Sequence, residues 1–335
     1  MTMRDIARAT NLSQSTVSRV LNRTATVVPI AEETRERVFA TARALGYRPN
    51  PLARGLRGAS TMLLGVIVRE ITDPFFAGAI EAVTTAAGAR GYNVVLGHAH
   101  ARAEEAITLW GVLEARHCDA ILLMGDMRDQ PRLLQDLRTE HVPVVALWHG
   151  AQTDVPCVAV DNHAGIRRVL DHLTGLGHRR IAFVGPRRLG DIEEREAAFV
   201  QYFTGIDEPV RAGYVEHVPN DPSGAIDALS RLVKVPEPPT AIVAATDVLA
   251  IGLLHAAHAH GLRVPGQLSI TGFDDISMAA YTVPALTTMR MPMGEMVDQA
   301  LRLALGDTEA GVDQPLPVLQ PSLVVRESTG PVGHD

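Results

Sequence analysis

The sequence predicts two architectures joined in one chain: an all-α helix-turn-helix head at the N-terminus, followed by an α/β unit of two doubly wound parallel-sheet lobes. Three observations point there. Apolar residues in the first sixty or so positions recur at helical spacing behind capping residues. From residue 62 onward, short apolar runs alternate with amphipathic stretches in two successive series. Charge is unevenly divided: residues 1–58 carry ten arginines against Asp5, Glu32, Glu33 and Glu36, a net of +6, so a chain of net charge −7 leaves −13 on the rest. A basic head on an acidic body draws a polyanion to one end and repels it from the other.

At 335 residues and 46% apolar composition, the chain can bury more than one core. No apolar run reaches the roughly 18 residues of a membrane span, and Met1 is followed by polar and charged residues rather than a signal-peptide core. A cytoplasmic protein without membrane partners is expected. Cys118 and Cys157 stand in apolar, strand-like surroundings with no metal-ligand spacing and read as buried free thiols.

The head divides into three helices. Thr2 and Asp5 have capping-box form ahead of a helix over 3–10, with Ile6 and Ala9 as its apolar stripe. Asn11 and Leu12 make the turn, since asparagine tolerates positive φ. Ser13 caps a second helix over 14–22 that turns Val17, Val20 and Leu21 inward and Gln14, Ser15, Ser18 and Arg19 outward. A third helix runs from about 32 to 45 with Val38, Phe39 and Ala42 on its inner face and Gly46 as its stop. The outward residues of the second helix are of kinds that read base edges, because Arg prefers guanine O6/N7, Gln prefers adenine N6/N7 and Ser is permissive.

The strings MRDIARATNLSQSTVSRVLN and TRERVFATARALGYRPNPLARGL resemble the head of the LacI/GalR family of bacterial repressors, and the likeness extends over almost the whole chain. The resemblance implies that Gln14, Ser15 and Arg19 read operator bases, with Ser13, Thr16, Ser18, Asn22 and Tyr47 contacting or positioning phosphates. It also implies a hinge helix over Asn50–Arg57 that folds on operator DNA, with Leu56 as the minor-groove wedge and Ala53 beside it. An isolated eight-residue helix containing Gly55 is unstable alone in water, so it should form only when paired and bound. The plain alternative is a flexible linker. Two departures stand out: Asn11 replaces the family's usual Gly, and RTATVVPIAEE is a few residues longer than the usual spacing. The expected domains are therefore 1–48 (DNA-binding), 49–60 (hinge) and 61–330 (effector binding and dimerisation).

In the larger unit, strands are expected over 62–68, 92–97, 120–124 and 142–147, separated by helices near 76–90, 103–116 and 130–140. A second series places strands at 157–160, 181–185, 241–245 and 268–273, with helices near 163–176, 193–204, 222–233 and 247–260. Short apolar strands joined by helices make parallel sheets covered on both faces, and two series make two lobes. Ligands of such sheets bind beyond the carboxyl ends of the strands. The family shares the periplasmic-binding-protein-like fold, which implies one lobe from about 61–160 and 290–320 and the other from 161–289 and 321–330.

The same resemblance supplies effector contacts. Asp73, Phe75 and Phe76 stand in ITDPFF, Asp126 and Trp148 after the third and fourth strands, and Arg195 in EEREAAF. Thr246 precedes Asp247 in AATDVLAIG, and Asp274 precedes Asp275 in TGFDDIS. Asp accepts from neighbouring hydroxyls, Arg donates in a fork and an aromatic face covers the apolar side of a ring, which suits a sugar or sugar derivative. A purine or other metabolite acting as corepressor is the alternative, since Phe75 and Phe76 can stack on a base. Each Asp could instead cap a helix and Arg195 could simply pair with a carboxylate.

Neither nucleotide-cofactor nor acyl-enzyme motifs occur. No cofactor, metal or catalytic residue is expected: His255, His258 and His260 lack i, i+4 ligand spacing, while His98 and His100 follow a strand that could face the cleft. A transported-sugar receptor would lack the basic head. An acid–base pair at Asp274 and Asp275 would need neighbouring strand residues to point the same way. The reading is an allosteric repressor, binding a pseudo-palindromic operator as a homodimer and switched by a small effector.

Overall fold

The computed structural model describes residues 1–21, 30–47, 60–126, 142–147, 155–187, 190–306 and 318–333. Within them the chain splits into two compact units, Met1–Thr61 and Met62–Asp335. The expected sites Asn22, Asn50, Ala53, Leu56 and Trp148, the hinge and the helix near 130–140 lie outside the described residues.

The small unit is three helices, α1 (Met3–Thr10), α2 (Gln14–Leu21) and α3 (Glu32–Ala44). The capping box at Thr2 and Asp5 is formed, and Asn11 closes α1 at φ 53. Ser13 caps α2: its Oγ accepts the Thr16 N–H at 3.0 Å. Ile6, Ala7, Val17, Val20, Val38 and Ala42 make one core, flanked by half-buried Leu12, Leu21, Phe39 and Tyr47. Ala9 is a correction: it is exposed, and the buried face of α1 runs through Ile6, Ala7 and Thr10. Positions 6, 7 and 10 lie i, i+1 and i+4 on one side of the helix, while position 9 turns away.

The larger unit holds two sheets. The first is β2-β1-β3-β4-β5, all parallel, from β1 (Leu63–Val68), β2 (Asn93–His98), β3 (Ala120–Met124), β4 (Val144–Leu147) and β5 (Cys157–Val158). Helices α4 (Pro74–Ala89) and α5 (Ala103–Ala115) connect its early strands. Its central strands are buried along their whole length, β3 entirely, which is why they read as unbroken apolar runs rather than alternating ones.

The second sheet has the order β11-β10-β9-β8-β6-β7. Its strands are β6 (Ile181–Gly185), β7 (Val215–His217), β8 (Ala241–Ala244), β9 (Ser269–Asp274), β10 (Thr287–Arg290) and β11 (Ser322–Val324). The joining helices are α6 (Asn162–Gly175), α7 (Gly190–Gly205), α8 (Pro222–Leu232) and α9 (Asp247–Ala259). Only the β10–β11 pair is antiparallel. Between these two strands the chain forms α10 (Met293–Leu305), which packs on the first sheet, and Leu319 bridges to Val160 on the way back.

Strands β7, β10 and β11 and helix α10 were not among the expected elements. The three strands are only three or four residues long and partly polar, so no apolar run announces them. Cys118 is buried as expected, and burial pushes its thiol up to about 11. Cys157 is only half-buried, because it sits on the two-residue strand β5 at the sheet's edge. Among the described residues, no helix is long and apolar enough to cross a membrane.

Candidate effector cleft and DNA-reading face

Between the two lobes, the carboxyl ends of the strands face a small enclosed space. Asp73, Phe75, Phe76, Asp126, Arg195, Thr246 and Asp274 all line it, joined by Arg69, Gly125, Asp191, Ile192 and Asn220. Each position has a local cause. Asp73 ends the turn after β1 and caps α4, accepting the Phe75 N–H at 3.0 Å. Thr246 follows β8 and caps α9 through its Oγ1. Helix capping and cleft lining therefore coincide: both need a polar residue at the strand-to-helix turn, where the strand ends meet the ligand space.

Arg195 is the structural centre. It comes from the second turn of α7 and is only 2% exposed. Its Nε donates to Asn162 Oδ1 at 2.9 Å, Nη1 to the Ala245 carbonyl at 2.6 Å and Nη2 to Asp191 Oδ2 at 3.3 Å. The guanidinium lies 3.7 Å from the centroid of Phe273 and 3.6 Å from Asp274 Oδ1. One side chain thus ties the starts of α6 and α7 to the ends of β8 and β9, a desolvated position where each charge-assisted bond counts.

Asp274 and Asp275 take adjacent positive φ values, 124 and 53, and diverge. Asp274 faces Arg195. Asp275 ion-pairs with Arg290 and Arg326, both at 2.6 Å. Two such residues in a row cost on the order of 1–3 kcal/mol each, held by these contacts. Burial pushes the Asp274 carboxyl well up; Arg195 pulls the other way, and Asp247, Asp73 and Asp191 add to the rise. Burial likewise raises Asp73.

Hydrogen bonds cross the cleft at two places among the described residues. Asp126, after β3, accepts the Gly190 N–H at the start of α7. Asp73 Oδ2 accepts from Asn220 Nδ2 at 3.1 Å, and Asn220 Oδ1 accepts from Thr246 Oγ1 at 2.7 Å. In this arrangement the enclosed space is about 30 Å³, far below the roughly 300–1,000 Å³ of small-molecule pockets. The lobes are drawn together by the same aspartates that could receive a ligand's hydroxyls.

Sequence reasoning missed Arg69, Asp191, Asn162 and Asn220. A signal existed for two of them: Arg69 is a polar residue directly after an apolar strand run, and Asp191 stands one helical turn before Arg195. Asp247, one residue beyond Thr246, points away from the cleft into the second lobe, accepting from Thr288 Oγ1 and from the Ile276 N–H at 2.8 Å. Its Oδ1 lies where a β-carbon on Gly272 would stand, so only glycine fits there. His98 and His100 are not among the cleft residues; they stack at 3.8 Å and reach Glu70 and Glu105. No cluster of metal-ligating residues occurs among the described residues.

On the small unit, Gln14, Ser15 and Arg19 are exposed on one side of α2, and Ser18 is half-buried. Ser13 Oγ lies 2.8 Å from both Ser15 Oγ and Thr16 Oγ1, and Gln14 Oε1 accepts from Arg4 Nε at 3.4 Å. Buried Val17 and Val20 fix the helix from below, leaving a polar face that presents Arg19, which makes no ion pair with a carboxylate among the described residues. Tyr47 packs against the head core.

Comparison with known proteins matches both units. Residues 2–50 match the family described as bacterial regulatory proteins, lacI family, and residues 170–329 match a periplasmic binding protein-like domain. The chain is 32% identical over 311 residues to catabolite control protein A of Priestia megaterium, covering 90% of this chain and 91% of that protein. It is 30% identical over 331 residues to the HTH-type transcriptional repressor PurR of Escherichia coli, covering 98% and 96%. Its fold matches the lac repressor dimer bound to operator and the anti-inducer ONPF with a TM-score of 0.85 at 26% identity, over 98% of this chain and 99% of that one.

Proposed function

Because the chain belongs to the lacI family of bacterial regulatory proteins, DNA-binding transcriptional repressors that bind an effector and are not enzymes, we propose that it grips a pseudo-palindromic operator as a homodimer and is switched by a neutral sugar or sugar derivative. The observation that carries the effector reading is the cleft's lining. Among the described residues, Asp73, Asp126, Asp191 and Asp274 stand against Arg69 and Arg195, and Arg195 is already committed to four protein groups. Carboxylates accept from vicinal hydroxyls. Phe75 and Phe76, edge to face at 5.3 Å, offer an apolar wall. A phosphorylated ligand meets an excess of negative charge there.

In this mechanism Gln14, Ser15 and Arg19 read bases, and Ser13, Thr16, Ser18 and Tyr47 position the backbone. Asn22, Asn50, Ala53 and Leu56 extend this set by family likeness alone. The effector replaces the bonds that Asp73 and Asp126 make across the cleft, and so biases a two-state equilibrium that spaces the two heads. Linkage requires operator DNA to change effector affinity by the same factor.

The test is fluorescence anisotropy of a labelled DNA fragment from upstream of the protein's own transcription unit, with panels of neutral sugars, sugar phosphates and purines. A neutral sugar that shifts specific binding supports the proposal. A response to a purine alone would replace the sugar reading with a corepressor, and equal effector affinity with and without operator would sink the allosteric one.

A further inference from the structure

The second lobe carries a larger pocket at the opposite end of its sheet from the cleft. It lies at the amino ends of β6, β8 and β9, where Arg180, Thr240 and Leu268 stand just before the strands, and its volume is about 420 Å³. That falls within the size range of small-molecule sites. Part of its wall is apolar: Leu229, Leu232, Pro238, Pro239, Leu262 and Pro265.

Its polar lining is one-sided. No carboxylate lines it among the described residues, and its two basic side chains are His178 and Arg180. His178 is fully engaged, with Nδ1 2.9 Å from Thr240 Oγ1 and Nε2 3.0 Å from both Ser269 Oγ and the Gly330 carbonyl. Arg180 differs. Its Nε is buried without an acceptor, and its guanidinium makes no ion pair or hydrogen bond among the described residues. A buried N–H left unmatched is costly, and a guanidinium fork matches a carboxylate in two parallel bonds. The carboxyl ends of α8 and α9 also lie at this edge, and their dipoles disfavour an anion; each amounts to about half a charge, against a full guanidinium charge in contact.

We propose that this pocket is a second small-molecule site, separate from the interlobe cleft, which takes a compact organic acid: an apolar body against the Leu and Pro walls, with its carboxylate on Arg180. The site is independent of the effector assignment, since it shares no residue with the cleft.

The experiment titrates the full chain with 3-phenylpropionate, following ligand-observed NMR and calorimetry, with 3-phenylpropanol as the uncharged match. Expected is saturable binding at a single site per chain. The alcohol should bind about tenfold or more weaker, as should the acid to Arg180→Met, since each removes a charge-assisted contact. Leu229→Trp, which fills the pocket and leaves Arg180 in place, should also abolish binding, while Asp274→Asn in the cleft should leave it unchanged. Circular dichroism identifies any variant that fails to fold. No saturable binding up to about 10 mM, equal binding of the alcohol, or loss in Asp274→Asn with retention in Arg180→Met would each overturn the proposal.

Discussion

Replacing Asp247 by Asn should change how the larger unit's stability depends on pH. Asp247 is completely buried, and that burial is the main reason its carboxyl is pushed from 3.8 up to about 7. A carboxyl raised in the folded state favours folding least where it must ionise. Below pH 3.8 both states hold the proton and there is no penalty; the penalty grows as pH rises through the window between 3.8 and about 7, then levels off. Linkage gives a cost of about 2 kcal/mol at pH 5 and about 4 kcal/mol at pH 8, a difference of roughly 2–3 kcal/mol.

Asparagine is neutral at both pH values and fits the same bonds: its Oδ1 can accept the Ile276 N–H, while the Thr288 hydroxyl reverses to accept from Nδ2. At about 2–4 °C per kcal/mol for a unit of this size, Asp247→Asn should gain roughly 5–10 °C in Tm relative to the parent between pH 5 and pH 8. Asp161 and Asp298, held low by their hydrogen-bond and charge partners against the opposing effect of burial, lose stability as pH falls, but they do so in both proteins and cancel. Thermal scans of the two proteins at the two pH values decide the matter. Parallel shifts would refute the assignment of a proton to buried Asp247.

Other expected outcomes follow from the cleft and the head. Arg195→Met removes the tie between α6, α7, β8 and β9 and should cost about 3–5 kcal/mol, a fall in Tm on the order of 10 °C, together with effector response; thermal scanning and calorimetry check both. Asp274→Asn, which keeps an oxygen facing Arg195 and removes a carboxyl that burial pushes well up, should stay within about 1 kcal/mol of the parent in the same scan; a much larger loss would refute burial as the dominant influence on that carboxyl. Arg19→Ala should relax base preference by about 1–3 kcal/mol at one operator position without unfolding the head, as measured by anisotropy over a set of single-base operator variants.

The repeating parts of the fold were legible in the sequence because they are periodic. β3 and β6 were located to the residue, since a strand buried on both faces is a bare apolar run bounded by polar turns. The capping box at Thr2, the cap at Ser13 and the left-handed Asn11 were equally legible, since capping is a contact between residues two or three apart. Family likeness then singled out Asp73, Asp126, Arg195, Thr246 and Asp274, which the fold gathers at one cleft from five separate segments.

What the sequence by itself determined, then, was whatever local spacing encodes: the helical head, the strand–helix alternation, the charge division and the polar residues at strand ends. Tertiary structure alone decided the rest. Ala9 and Ala7 have the same side chain, and only packing against α2 and α3 buries one and exposes the other. Asp247 and Asp274 are both aspartates beside a strand end; one is turned into the lobe beneath Gly272 and the other towards Arg195. Nothing near Arg180 in the sequence shows that the turn after α9 and residues 332–333 close a pocket around it with no carboxylate among the described residues. These distinctions rest on contacts between residues tens to hundreds of positions apart, where burial and the loss of water, rather than residue type, set the charge and the role of each side chain.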